Sequence, residues 1–526
     1  MTSILTDRAR TAAANDLLDA CANDDFAHIS PSVYETARVV ADAPWLDGHL
    51  RRMAFLRAQQ HTDGGWGQPG YDGTGAEGYR LVPTLSAVEA LLTVLAGTVP
   101  LPERDAVAQA ARSGIRILRN WLAAGAGHEQ SRPDTVAIEL IVPGLIERIN
   151  DRLTAGVGLG DGPAADREFL PQPNPGDLVL LTRLRAAARA GAAVPDKLWH
   201  TWEMLHPGVP RVSPVYPVAG AVSCSPAATT SWLGTTPDPD EPAGRYLAEL
   251  LRREGGPVPV ATPMPYFERS WILNVFATHG VAYTMRDDLL TGLDAALGEH
   301  GAPAGPGLPA DGDDTACVLY ALDLHGAGRR PDSMMQYFAG DHFRCYPEER
   351  TPSSTVNAHA VEALGHWIRR HPRDTHRYEP ALRAAVDWLL AAQRTDGRWD
   401  DKWHASPYYA TAVCAQALTE YGGSAARHAI GRAVRWGVES RHDGGGWGIG
   451  PHGTAEETTY AAWLLTLADG PGADRALATA WTILADATTD IQSPTLWIGK
   501  DIYAPERIIE ATRLAVVHKL SGRRLR

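Results

Sequence analysis

The sequence predicts an all-α protein of stacked helical hairpins arranged in two domains, and three observations carry that prediction. Apolar residues recur at i, i+3 and i+4 through "RLVPTLSAVEALLTVLAG" (80–97), "ALRAAVDWLLAAQ" (381–393), "YYATAVCAQALTEY" (408–421) and "ETTYAAWLLTLADG" (457–470), the spacing of one buried helix face. Sustained period-two alternation is missing, so few strands are expected. A turn sequence then repeats: "QHTDGGW" (60–66), "QRTDGRW" (393–399) and, more loosely, "RHDGGGWGIG" (441–450). Each copy follows one amphipathic helix and precedes another, and such repetition implies stacked units.

The turn has a mechanism. Asp-Gly makes a tight turn in which Gly accepts positive φ. Trp66, Trp399 and Trp447 can then cover the turn, and the Gln can bond free backbone groups at the next helix start. One copy near the beginning and two near the end suggest two domains, as does a length of 526 residues. Residues 151–176 and 234–244 read as loops, and the second, "GTTPDPDEPAG", is the better joint because the helix-like "RYLAELLRREGG" follows it.

Composition narrows the function. The net charge is −13, which argues against a nucleic-acid partner. An anionic substrate would need a local basic pocket. The five cysteines, at 21, 224, 317, 345 and 414, form no CxxC or zinc spacing, and a reducing compartment fits them. The opening "MTSILTDRARTAAANDLL" has no apolar signal core, and no run is expected to reach the roughly 18 residues of a membrane span. Phe is scarce at 7 against 16 Trp and 16 Tyr, a bias toward aromatic groups with a polar edge. Only Lys197, Lys402, Lys500 and Lys519 are lysines among 49 basic residues. A lysine retained in an arginine-rich chain supplies a point charge that Arg cannot, unless it is there by chance.

The chemistry-bearing stretch is "GLPADGDDTACVLYALDLHG" (307–326), which crowds Asp311, Asp313 and Asp314. A calcium loop beginning at Asp311 would need Gly and Glu where Ala316 and Leu322 stand. An Asp-x-Asp-x-Thr phosphatase needs a buried strand before the motif, and "HGAPAGPGLPA" is none. Acidic capping of a helix start remains open. So does a Brønsted acid: carboxylates packed together in an apolar pocket cannot all ionise, and one keeps its proton. That proton can be delivered to an alkene, and aromatic faces stabilise the resulting cation.

Asp311-Gly312-Asp313-Asp314-Thr315 resembles the Asp-x-Asp-Asp signature of class II terpene cyclases, and the tryptophan turns resemble the repeats of that superfamily, which includes the squalene–hopene cyclases. "SPSVYETARV" (30–39) is similar to a Ser-x-Tyr-Asp-Thr-Ala-Trp segment of the diterpene branch, with Arg38 in place of Trp. Counterparts follow in order: "IELIVPGLIERI" (138–149), "LWHTWEML" (198–205), "SCSPAATTSW" (223–232), "PYFERSWILNVFATHGV" (265–281), "DDKWHASPYYAT" (400–411) and "LWIGKDIYAPERIIEA" (496–511). The resemblance spans nearly the whole chain and is strongest to bacterial copalyl-diphosphate synthases.

That resemblance implies two α/α barrels, β (1–24 plus 245–526) and γ (25–244), with γ inserted near the start of β and the substrate between them. It implies protonation-initiated cyclisation of geranylgeranyl diphosphate to a bicyclic labdane-type diphosphate, ent-copalyl diphosphate. The alternatives are a stereoisomer or double-bond isomer, or farnesyl diphosphate going to drimenyl diphosphate. The chain carries no Asp-Asp-x-x-Asp site, so the diphosphate is expected to survive for a separate class I diterpene synthase. The location implied is cytoplasmic. A squalene-type enzyme fits less well, because such chains carry more tryptophan turns. A non-catalytic toroid binding protein partners would leave the aspartates without chemistry.

Residue by residue, the resemblance makes Asp313 the general acid, with Asp311 and Asp314 tuning it and His359 or Asn357 as the partner opposite. Lys402, Lys500 and, less directly, Arg507 are the diphosphate candidates. Mg2+ would bridge the phosphates through oxygen ligands, with Glu77 and Asp72 as candidates. Trp271, Trp403, Tyr408, Tyr409, Trp497 and Tyr503 would line the hydrocarbon cavity, though each could be ordinary core. Plant relatives terminate with a His and an Asn that hold a water. His200 matches the first, whereas Val260 stands where the Asn would be, so half of that dyad is missing.

Overall fold

The computed structural model describes residues 7–68, 77–97, 103–128, 132–157, 159, 168–205, 211, 215–235, 238, 240–485 and 495–523. Nineteen α-helices and three short 3-10 helices carry nearly all of its regular structure. The strands are two residues each, β1 (Trp497–Ile498) and β2 (Ile502–Tyr503), paired antiparallel.

Six helices close a ring. These are α10 (Pro265–His279), α12 (Gly312–Leu324), α13 (Ser354–Arg370), α15 (Pro407–Tyr421), α17 (Ala455–Leu465) and α19 (Glu506–Ser521). Each packs on the next, and α19 returns to α10. Outside them lie α1 (Asp7–Ala22), α11 (Asp287–Ala296), α14 (Thr375–Ala392), α16 (Gly423–Glu439) and α18 (Pro471–Leu484). Inner helices are apolar on nearly every face, as α17 illustrates with every residue buried, because both their inner and outer sides are covered.

A second, smaller ring joins α2 (Val33–Asp42), α4 (Glu77–Ala96), α6 (Ile138–Thr154), the 3-10 segment Asp196–Met204 and α8 (Pro226–Leu233). Around it lie α3 (His49–Ala58), α5 (Arg104–Ala123), α7 (Pro175–Arg189) and α9 (Pro242–Glu254). Within α4, the window Tyr79–Ala96 has the length and hydropathy of a membrane span, contrary to the expectation that no run reaches that length, but 78% of it is buried inside this ring.

The cores separate accordingly. One runs from Ala14 to Ile29 and then from Val260 to Leu520, with Cys224 added, and the other from Val33 to Ala228. Between them a third cluster joins Val39 and Leu46 to Tyr246, Leu247 and Leu250 of α9. The joint expected at 244/245 falls inside α9, which packs on α8 of the second ring and joins Val39 and Leu46 in the third cluster.

The tryptophan turns share one geometry. The indole N–H of Trp66, Trp399 and Trp447 donates to the carbonyl ten residues earlier, that of Leu56, Leu389 and Gly437. The backbone N–H of each donates to the hydroxyl of Thr84, Thr411 or Thr458 on the following inner helix. Gln60 and Gln393 do not cap helix starts. Their amides donate to Ala110 O and Ala429 O, inside the next outer helix. Gly397, at φ 108°, is required twice over, since a Cβ there would sit 2.5 Å from Arg432 O.

Candidate active site

The N-termini of the inner helices of the larger ring open onto a cavity of about 560 Å3 that is also walled by the smaller ring. Asp311 is the N-cap of α12, with its Oδ1 accepting the N–H groups of Asp313 and Asp314, both at 2.8 Å. Capping and acid chemistry therefore coexist, with Asp311 the cap. Only Gly fits between the aspartates, because a Cβ on Gly312 would lie 2.3 Å from Arg344 O.

Asp311 and Asp314 are both buried. Burial pushes the Asp311 carboxyl up to about 7, against the hydrogen bonds it receives from Asp314, and the Asp313 charge adds to the rise. Burial and then the Asp311 charge hold Asp314 well above the usual carboxylate range. Asp311 and Asp314 together keep a proton at neutral pH. Asp313 is the member least covered, its side chain 14% exposed, and its Oδ1 lies 2.7 Å from His359 Nδ1. Burial alone would lower the His359 pKa, but the Asp313 carboxylate overrides it and the net shift is upward.

His359, not Asn357, is thus the partner. Asn357 is consumed in structure, accepting from Phe343 N at 2.7 Å and donating to Phe343 O and Ser353 O. The aromatic wall contains Phe267, Trp271, Trp403, Tyr409, Trp497 and Tyr503. Register explains two of these, since Trp497 and Tyr503 are cross-strand partners in the hairpin. The Trp271 indole donates to Tyr409 OH at 3.0 Å, and the Tyr409 and Trp497 rings lie 4.8 Å apart. Tyr408 departs from expectation: it is not on the cavity wall, its ring packs on Trp436 and its hydroxyl donates to Ser440 O. Neighbouring helix positions point about 100° apart, so Tyr409 faces the cavity while Tyr408 faces α16.

Lys402 lies on the cavity wall, bonded to Glu349 at 2.7 Å. Its loop is fixed by Asp401, which accepts from Ser353 Oγ, Thr355 N and Trp403 N. Lys500 departs from the expected role. It is fully buried between the rings, bonded to Glu35, to Glu203 at 3.1 Å, to Ser225 Oγ and to the His200 carbonyl. A cation with that many partners is not available to a diphosphate. Arg507 is likewise spent on Glu268 and Asp24, away from the wall. The cations that sequence reasoning missed are Arg132, Lys197 and Arg350, all on the wall. They pair with Asp177, Glu348 and Asp134. Side-chain exposures of 50% for Lys197 and 81% for Glu348 mark this as the solvent side of the cavity. Arg132 and Arg350 come from irregular segments without periodicity, and Lys197 opens the 3-10 segment, where only the rarity of lysine pointed to it.

Two oxygens at this end, Asp134 Oδ2 and Glu349 Oε1, are buried without a hydrogen-bond partner among the described residues. Unpartnered carboxylate oxygens of this kind suit a hard divalent cation. Asp72 lies outside the described residues, as does the side chain of Glu77, which opens α4.

His200 lies on the wall beside Val260 in the lining set. Its Nδ1 is 2.7 Å from Ser223 O. A carbonyl only accepts, so Nδ1 carries the hydrogen and Nε2 the lone pair. Burial, then the Lys500 charge, lower its pKa to about 3, so the ring is neutral.

Residues 349–501 match the squalene-hopene cyclase C-terminal domain family. The chain is 41% identical over 97% of its length to an ent-copalyl diphosphate synthase of Streptomyces sp. (strain KO-3988), of which 96% is covered. It is 40% identical over 98% of its length to a labda-7,13-dienyl diphosphate synthase of Streptomyces clavuligerus, 94% covered. The ent-copalyl diphosphate synthase structure from Streptomyces platensis superposes with TM-score 0.88 at 43% identity, covering 98% of this chain and 100% of that one. With its aspartate-capped α12 and tryptophan turns set in this fold, the chain belongs to the bacterial class II diterpene cyclases of the copalyl diphosphate synthase group.

Proposed function

We propose that the protein cyclises geranylgeranyl diphosphate to ent-copalyl diphosphate and leaves the diphosphate intact. The observation that carries this reading is the Asp313–His359 contact on an aromatic-walled cavity whose solvent side holds Arg132, Lys197, Arg350 and Lys402. A polyprenyl diphosphate has the matching polarity, an apolar chain with an anionic head. The names carried by similar proteins support the substrate class.

Asp313 gives its carboxyl proton to the terminal alkene. The π electrons form the C–H bond and leave a tertiary cation. Two further alkenes add in turn, each making one C–C bond and passing the cation along. Trp271, Tyr409 and Trp497 offer ring faces that stabilise it. The last cation loses a proton from a neighbouring carbon to His200 Nε2, which forms the product alkene, and the result is an isomer of the substrate. A neutral imidazole of low basicity suffices, because a carbocation is a far stronger acid than imidazolium.

Mg2+ would be held by Asp134 and Glu349, each with a buried oxygen that lacks a hydrogen-bond partner among the described residues, and it would supply charge neutralisation to the diphosphate. Lys402 and Arg350 orient the head group beside it. A class I synthase that ionises the retained diphosphate is the expected consumer of the product. Five free, buried cysteines agree with a cytoplasmic setting.

Incubation with geranylgeranyl diphosphate, phosphatase treatment and mass spectrometry should give a bicyclic C20 alcohol, with chiral comparison identifying the ent series. Recovery of linear geranylgeraniol alone overturns the reading. Competition with farnesyl diphosphate, which would give drimenyl diphosphate, measures the chain-length preference.

A further inference from the structure

The aromatic wall has a carboxylate behind it. Glu456 is the second residue of α17, and its side chain is fully buried. Its Oε1 accepts from the Trp497 indole N–H at 3.1 Å and from the Tyr460 hydroxyl at 3.0 Å. Burial, then the Glu456 charge, hold the Tyr460 phenol well above its ordinary range, so Tyr460 keeps the hydrogen it donates. Two donors on one oxygen, and a place in the first turn of a helix, favour the charged form of Glu456. No Lys or Arg among the described residues pairs with it, and the Nε2 of its one basic neighbour there, His404, is 3.6 Å away, beyond hydrogen-bond reach. Trp497 and Tyr409 are wall residues with rings 4.8 Å apart, and Asp313 is close enough to Tyr409 for its charge to act on the phenol. A cation created by Asp313 therefore forms beside this ring pair.

We propose that Glu456 is a positioning residue of the cyclisation: it orients the Trp497 ring against the cavity and, as a fixed charge behind that ring, strengthens its hold on a carbocation in front. This rests on a carbocation being formed in the cavity. An indole whose N–H is bonded to an anion carries more electron density on its faces, which raises its attraction for a cation. The buried surroundings also leave the field of the carboxylate poorly screened across the width of one ring. The placement has a second consequence. Glu456 does not line the cavity, so the ring shields its oxygens from the cation. A carboxylate on the wall itself could capture that cation as an ester or take its proton early, and either would end the cascade. Glu457, the next residue of α17, is spent on Ser406 Oγ, Thr454 Oγ1 and Ile449 N and does not reach the wall.

Glu456→Gln keeps a carbonyl to accept from Trp497 and Tyr460 and removes the charge. Two inert ligands read the difference at pH 8, where imidazole is ordinarily uncharged. One is a C20 diphosphate chain whose terminal branched carbon is replaced by nitrogen, an ammonium at that pH. The other is the same chain with carbon there, saturated at that end. Calorimetry should show the ammonium ligand bound about tenfold more weakly by the variant, and the all-carbon ligand bound within about twofold of the parent. With geranylgeranyl diphosphate, kcat should fall by about tenfold or more with KM little changed. Equal weakening of both ligands, as a distorted cavity would give, or weakening of neither, overturns the proposal. Tyr460→Phe takes one donor from the carboxylate and keeps the charge, so its binding of the ammonium ligand should match or exceed the parent's. A selective loss there overturns the proposal even where Glu456→Gln folds poorly. A parent enzyme that forms no bicyclic product overturns the cyclisation reading instead, on which the ligand comparison does not depend.

Discussion

The molecule buries two clusters of acidic groups and treats them oppositely. Between the rings, Glu35 and Glu203 share Lys500, and Tyr34 OH, Ser225 and backbone groups complete their bonds. At the start of α12, Asp311, Asp313 and Asp314 have no basic residue but His359 in contact, and Asp314 Oδ1 has no partner among the described residues. The first cluster is tied to a cation, although burial pushes Glu35 up to about 7 and Glu203 Oε2 lacks a hydrogen-bond partner among the described residues. The second has no Lys or Arg in contact, so protons take the cation's place. The two clusters share burial and raised pKa values, and they differ in the counter-ion and in lining the cavity.

The largest expected effect breaks the second cluster. Asp313→Asn keeps the shape and the His359 contact but has no acidic proton, so cyclisation should fall by about 10^3- to 10^4-fold, read as bicyclic product per enzyme. Its thermal unfolding should stay near the parent's, since no ion pair with Lys or Arg is lost. Next, Lys500→Met leaves two carboxylates buried without their cation and should destabilise by about 3–5 kcal/mol. The expected readout is a lowered denaturation midpoint with soluble yield reduced, whereas a parent-like midpoint would refute the structural role.

Titration tests the acid cluster without mutation. The Asp311 carboxyl, raised to about 7 by burial, keeps the acid unit loaded below that pH. As pH rises through about 7 a proton is lost, and kcat should fall by about tenfold per unit above it. The same raised pKa removes stability as pH rises from the ordinary value of 3.8 through about 7, where the proton is bound in the folded chain alone, and adds no further slope above that. Unfolding followed over the same pH range would tell loss of acid from loss of fold. A rate that is flat from pH 6 to 9 would contradict a proton held by the aspartate group.

Much of this contrast was legible in the chain. The helical rings followed from the i, i+3, i+4 spacing, and Asp311, Asp313, Asp314 and His359 from motif and order. Lys402 and Lys500 looked equivalent in sequence, as retained lysines in aromatic loops, yet one lies on the cavity and the other is locked to Glu35. What separates them is the partner set, contributed by α2 and Asp196–Met204 some 300 to 465 residues earlier. Long-range pairing of that kind leaves no periodic trace. Tyr408 and Tyr409 were inseparable for a simpler reason: a ring of helices uses both faces, so hydrophobicity alone does not say which face is the cavity. Arg132 and Arg350 sit in irregular segments where no pattern marks them.

The smallest effect expected sharpens the comparison at its solvent end. Lys402 resembles Lys500 in being bonded to a carboxylate, Glu349, but it lies on the cavity wall, where Arg350 and Lys197 also stand. A cation placed in that way remains free to meet an incoming anion, so its removal should weaken ground-state and transition-state binding alike. Lys402→Ala should raise KM for geranylgeranyl diphosphate by about tenfold, close to 1.4 kcal/mol, with kcat little changed. Melting should fall less than in Lys500→Met, because the Lys402 and Glu349 side chains, though only 6% and 4% exposed, line the cavity and leave one carboxylate rather than two without its cation. A collapse of stability in this variant would put Lys402 with Lys500 as a structural cation, and would shift the diphosphate site toward Arg132 and Arg350.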